Sequence, residues 1–190
     1  MKIFTIQPKP VFEQLMDIGH YYTKEELIEA DWLKWNRCGY QWMIERLSEK
    51  SNKPEYCAFP VWGWYNKKAF VGSNYFKNYT DDNRYVIEIN IPQKNVLLSD
   101  FIRWGLVLSG DFWSEKYIKE DRELIKDGEF YDFWYGEIEF SLDKYEHYKI
   151  KHKKLFDNWK TIFRIDRNEY VQATFWEIFK KQVVKYKIIN

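Results

Sequence analysis

The residues that could do chemistry are few and widely separated. Thr5 and Gln7 lie on one short alternating stretch, Trp62 and Trp64 straddle Gly63 in FPVWGWY, and Asp100 and Gln172 sit inside apolar surroundings. Two indoles on one side of an extended chain can stack against a flat ligand, and an amide such as Gln172 can orient it by donating and accepting, although a neutral amide cannot act as a base. Gly63 leaves the opposite side of its strand bare, which suits close approach of a ligand or of another strand. The same seven residues also read as an aromatic piece of packed strand. Glu137 and Glu139, placed on one face of a strand over FWYGEIEFS with Tyr135, could bind a ribose or serve as acid and base, or simply form the wet face of an edge strand. Asp100 stands where a helix N-cap belongs, so its carboxylate is read first as a cap and second as a functional group at a strand end.

Recognised reaction motifs are absent: the chain holds no glycine-rich phosphate loop, HExxH, nucleophile elbow or EF-hand loop. His20, His147 and His152 have no cysteine companions, which argues against zinc, and His147 and His152 are assigned to a lysine-rich helix surface. The run KIKHKKL (149–155) reads as a solvated helix face rather than a phosphate-contacting patch. With 30 basic against 29 acidic residues, no long-range field recruits nucleic acid or an anionic membrane. No apolar run approaches a bilayer span or a signal-peptide core, and Cys38 and Cys57 fit no disulfide framework. A cytoplasmic protein is expected, with a small molecule or another protein as partner.

The elements that must position these groups follow from hydrophobic period. At 190 residues, 45% hydrophobic and with 10 Trp, 15 Tyr and 14 Phe, the chain can build a single core, so residues 1–190 are expected to form one globular domain. KIFTIQ alternates as a strand, and Pro10 to Ile18 follows as a helix ending at Gly19. Thr23-Lys24-Glu25-Glu26 has capping-box spacing and predicts the start of a second helix. Between Asp31 and Lys50, Trp32, Leu33, Tyr40, Met43, Ile44 and Leu47 fall on one helical face with Trp35 and Trp42 on its shoulder. Residues 66–83 are polar enough for a functional loop or lid. RYVIEINIP is a clean strand, Val96 to Leu98 a buried one turning at Ser99-Asp100 into a helix that ends at Gly110, and KEDRELIKDG a charged helix ending at Gly128. A long helix is predicted from Glu146 to Ile162, with His152, Phe156, Trp159 and Phe163 at steps of four, three and four. EYVQATFW and then Val183, Val184 and Tyr186 supply late strands. The fold class is α+β, with a mixed or mainly antiparallel sheet and packed helices.

Several blocks together carry a resemblance: FTIQ (4–7), PVWGWY (60–65), VLLSDF (96–101) with Trp104, NWKTIF (158–163) and VQATFWEI (171–178). In that order they resemble the bacterial family numbered thirty-eight forty-one in the domain-of-unknown-function series, over nearly the whole chain. The resemblance brings no activity with it. It departs at Gly105, where the family carries histidine, and in KKAFVGSNYF, which lacks the family's Asp-Leu-Arg stretch. Binding without turnover is the implication if those polar residues carry a reaction. The element order is also similar to bacterial ADP-ribosyltransferase-like domains, in which a split sheet clasps NAD. That similarity implies NAD as ligand and Thr5, Gln7 and Gln172 where such enzymes present a His or Arg and a Glu. The competing expectation is a non-catalytic, aromatic-rich recognition module anchored by Trp62 and Trp64 or by Trp35 and Trp42.

Overall fold

In the computed structural model, residues 1–65, 84–113, 115–165 and 170–189 are described. The predicted loop at 66–83 lies outside them. Two compact units are formed, one by Met1–Glu25, Arg46–Ser99 and Ile165–Asn190, the other by Glu26–Glu45 and Asp100–Arg164.

The first unit is built on a six-stranded sheet in the order β5-β6-β3-β1-β4-β8. Its strands are β1 (Lys2–Pro8), β3 (Val61–Trp64), β4 (Arg84–Asn90), β5 (Leu97–Asp100), β6 (Val171–Phe175) and β8 (Val183–Ile189). β1 pairs antiparallel with β3 and β4, β3 with β6, and β4 with β8, so the α+β class with a mainly antiparallel sheet holds. Strand parity then sorts the side chains. Ile3, Val61, Ile87, Ile89, Ala173 and Phe175 turn to one face and join a core with Val11, Phe12 and Leu15 of α1 (Lys9–Ile18). Helix α1 stops at Gly19, whose φ of 85° is left-handed and whose N–H reaches Leu15 O at 3.0 Å.

A second, two-stranded sheet pairs β2 (His20–Tyr22) with β7 (Glu177–Phe179); neither strand was legible in the sequence. Tyr21 and Ile178 face the core, which leaves His20, Tyr22, Glu177 and Phe179 on the outer side. The helix predicted from Thr23 does not form there. Thr23 instead bridges to Phe59, its hydroxyl turned to Pro60 O at 3.5 Å, and Glu25–Leu27 make a single 3₁₀ turn before α2 (Ala30–Lys50). The last strand, expected to be short, runs for seven residues because β4 offers it a continuous partner, with one irregularity at Glu88/Ile89.

The second unit is helical: the greater part of α2, then α3 (Phe101–Leu108), α4 (Ile118–Ile125), α5 (Gly128–Trp134), α6 (Leu142–Lys151) and α7 (Lys153–Trp159). Its core is aromatic. Trp42 stacks on Phe163 at 5.5 Å and meets Trp159 edge-on at 5.9 Å, while Trp134 lies 4.9 Å from Trp159. Trp42 is therefore core rather than shoulder, whereas Trp35 is 54% exposed. The strand expected over FWYGEIEFS is instead the end of α5 and a turn at Gly136. Phe130, Phe133 and Trp134 are buried at helical spacing, and Asp127 caps the helix by accepting from Phe130 N at 3.3 Å. Gly128, expected to end one helix, starts the next. The single helix predicted over 146–162 breaks at His152, where φ −107° and ψ 38° leave the helical region. The His152 ring packs at 4.6 Å against Phe130 and its Nε2 pairs with Asp127 Oδ2 at 2.8 Å, contacts that a straight helix carrying it on a lysine-rich surface would forgo.

Candidate functional site

The six residues singled out from sequence separate into three groups. β3 joins β1 to β6, with Phe4 opposite Trp64, Trp62 opposite Thr174 and Trp64 opposite Gln172. Cross-strand partners share a face, so Trp62, Trp64, Gln172 and Thr174 stand together on the face away from the α1 core. Thr5 and Gln7 have the other parity. Thr5 is fully buried among the core isoleucines, donates to Trp62 O at 2.8 Å, and accepts from Gln7 Nε2 at 2.7 Å; both hold the sheet together from behind. Asp100 belongs to the helical unit, where its Oδ1 accepts from Ile102 N (2.9 Å) and Arg103 N (3.1 Å) as the N-cap of α3.

Gly63 answers whether the aromatic strand is wall or core. A Cβ there would meet Ile3 Cγ2 at 2.7 Å and Phe4 O at 3.0 Å, so the bare side of the strand is filled by β1 and no ligand reaches it. The indole side differs: Trp62 and Trp64 are only half-buried.

On that same side lies a group the sequence did not reveal. Leu98 packs against the core, so its neighbour Ser99 in β5 points the opposite way, onto the indole face and next to β6. Ser99 and Thr174 are fully buried and Gln172 is 8% exposed. Among the described residues, Ser99 Oγ, Thr174 Oγ1 and Gln172 Oε1 have no hydrogen-bond partner. An unsatisfied buried polar atom costs about 1–3 kcal/mol, and native structures leave few of them. Three on one face of adjacent strands, beside two half-buried indoles, make a buried polar layer next to an aromatic edge. Only period 2 carried into β5 could have found Ser99.

A second polar cluster occupies the outer side of the small sheet. Glu177 Oε2 accepts from Tyr56 OH and pairs with His20 Nε2, each at 2.7 Å, and His20 stacks on Phe179 at 4.5 Å. The hydrogen bond to Glu177 pushes the Tyr56 phenol up to about 12. Sequence reasoning missed it because its members come from residues 20, 56 and 177, with no spacing to connect them. In the helical unit, Lys151 shares Asp127 Oδ2 with His152, and Lys149, Lys153 and Lys154 each meet a carboxylate, so these lysines of the basic run are tied into ion pairs. Burial pushes the His152 imidazole below its ordinary value. Glu137 and Glu139 are exposed and do not form a site. Cys38 and Cys57 are free and buried, their thiols raised by burial. Among the described residues no group of His, Cys, Asp or Glu could hold a metal, and no helix is long and apolar enough to cross a membrane.

An α+β fold on an antiparallel sheet, with a polar and aromatic patch on one sheet face, defines the class. The chain belongs to the family described as Domain of unknown function (DUF3841), whose model matches residues 2–184. No curated protein and no solved structure matches it. At Gly105, where histidine was expected from the family, an added Cβ meets nothing within 4 Å, so the helix surface has room for the missing side chain.

Proposed function

We propose that the indole face of the sheet binds the planar, hydrogen-bonding portion of a nucleotide, with NAD as the first candidate, in the manner of an ADP-ribosyltransferase-like fold. The observation that carries this reading is the set of three buried oxygens without a hydrogen-bond partner among the described residues, Ser99 Oγ, Gln172 Oε1 and Thr174 Oγ1, on the face that also bears Trp62 and Trp64. A heteroaromatic ring with amino or amide groups supplies what this face lacks: donors for the oxygens and a flat surface for the indoles. Gln172 is neutral and transfers no proton, so the role is binding rather than turnover. The setting is the cytoplasm, where buried free thiols persist, and the partner is a small molecule rather than nucleic acid or membrane.

Thermal melts test it. NAD, ADP-ribose or adenosine at millimolar concentration should raise the melting temperature, since a ligand that binds only the folded chain stabilises it by about 2.7 kcal/mol at a hundredfold excess over Kd. The variant Gln172→Leu removes an unsatisfied oxygen, so it should melt no lower than the parent yet lose the ligand-induced shift. No shift with any of the three compounds in the parent protein sinks the reading. A recognition module is favoured by one specific observation, the exposure of Trp35 and Trp32 on α2. On that reading Trp35→Ala loses a protein partner and leaves the melts with nucleotide unchanged.

A further inference from the structure

Elsewhere in the sheet-bearing unit, a cleft of about 380 Å³ collects hydrogen-bond donors from three separate segments. Lys50 ends α2, Asn52 follows in the loop, Lys94 and Asn95 come from the turn Gln93–Asn95, and Gln182 comes from the turn Lys180–Gln182. Among the described residues neither Lys50 nor Lys94 makes an ion pair or a side-chain hydrogen bond. Gln182 is oriented by its own chemistry: Oε1 accepts from Phe179 N at 2.8 Å, which leaves the NH₂ group as the end free to donate. Glu177 is the one acidic residue of the lining, and its Oε2 is already engaged by His20 and Tyr56. Its other oxygen is an acceptor in a lining that also carries the donors of Lys50, Asn52, Lys94, Asn95 and Gln182. Two ammonium groups against one carboxylate give the cleft a net positive charge, and a phosphate takes up several such donors at once.

We propose that this cleft is a binding site for a small phosphorylated polyol, a sugar phosphate, with the phosphate held by Lys50, Lys94 and the Gln182 amide and a sugar hydroxyl donating to Glu177. The volume lies near the lower end of the roughly 300–1,000 Å³ range of small-molecule clefts, which suits one sugar phosphate better than a dinucleotide. Tyr56 and His20 act as positioning residues that fix the Glu177 carboxylate. The site is distinct from the indole face and stands or falls separately from it.

Isothermal titration of the full chain with ribose 5-phosphate, and in parallel with inorganic pyrophosphate, tests the assignment. Ribose 5-phosphate should bind saturably. Gln182→Glu keeps the oxygen that accepts from Phe179 N but replaces the donor with a negative charge, and should weaken both probes by about tenfold or more. Lys94→Ala, at an exposed turn where the ammonium meets no carboxylate among the described residues, should do the same and keeps the test decisive should Gln182→Glu fail to fold. Glu177→Gln should weaken ribose 5-phosphate while leaving pyrophosphate as tight or tighter. Lys153→Ala, in the other unit, and Gln172→Leu, on the indole face, should change neither. The proposal is overturned by absence of saturable binding at millimolar ribose 5-phosphate, by binding of pyrophosphate alone, or by wild-type affinity in a folded Lys94→Ala protein.

Discussion

At the scale of single residues, Gly63 sets how closely β3 can lie on β1. Its missing side chain is replaced by Ile3 Cγ2, and Phe4 O is backbone that cannot swing aside. Gly63→Ala should therefore destabilise by about 1–3 kcal/mol, the usual cost of an extra methyl group in a packed core. A urea midpoint unchanged from the parent would mean β1 and β3 separate at no cost, contrary to this packing. Parity also explains what could be read beforehand. Trp62 and Trp64 share a face because they are two residues apart, and an alternating reading of VQATF makes Gln172 and Thr174 share one. Which face of β6 meets which face of β3 depends on register, and register is set by the antiparallel pairing Val61 to Phe175, which no local pattern states. The similarity to ADP-ribosyltransferase-like domains groups Thr5 and Gln7 with Gln172, whereas the pairing Phe4 to Trp64 puts Thr5 and Gln7 on the opposite face of the sheet.

At the scale of elements, β4 is held between β1 and β8 by more than its ladder. Glu88, 4% exposed, meets Lys2 Nζ at 2.8 Å and Lys185 Nζ at 3.2 Å, one lysine from each flanking strand. The Lys2 ammonium holds the Glu88 carboxyl below its ordinary value against the opposing effect of burial, and Lys185 adds to it. A carboxyl depressed in the folded state contributes stability above its unfolded pKa of about 4.3, and that contribution is lost as pH falls through the folded value. Melting temperatures taken from pH 7 down to about pH 3 should thus fall more steeply for the parent than for Glu88→Gln, which begins lower and has this titration removed. Parallel curves would show that Glu88 does not couple the three strands. The elements legible in advance were those whose period is unbroken, such as β1, α1, α2 and β4. Three of the failures come from contacts distant in sequence. Thr23 meets Phe59 rather than capping a helix, Asp127 draws His152 out of the helical conformation, and the three-residue strands β2 and β7 exist only because each is the other's partner.

At the scale of the whole chain, the expectation of one domain bears on how the two units unfold. Domain boundaries ordinarily fall in exposed linkers rich in proline, glycine and polar residues, where few contacts cross. Here one boundary, Glu45/Arg46, falls inside the 21-residue helix α2, and another, Ser99/Asp100, falls inside β5 just where Asp100 caps α3. Helix formation is cooperative, so melting one end of α2 while keeping the other removes hydrogen bonds from the middle of a continuous ladder. The carboxylate that caps α3 is likewise presented by the last residue of a strand in the sheet, so losing β5 loses the cap. We therefore propose that the two units unfold as a single cooperative domain. Scanning calorimetry should give one transition, with the calorimetric enthalpy equal to the van't Hoff enthalpy. Two resolved transitions, or a calorimetric enthalpy well above the van't Hoff value, would make α2 a connector between independent domains. In that case Gly63→Ala and Glu88→Gln would shift only the transition of the sheet-bearing unit.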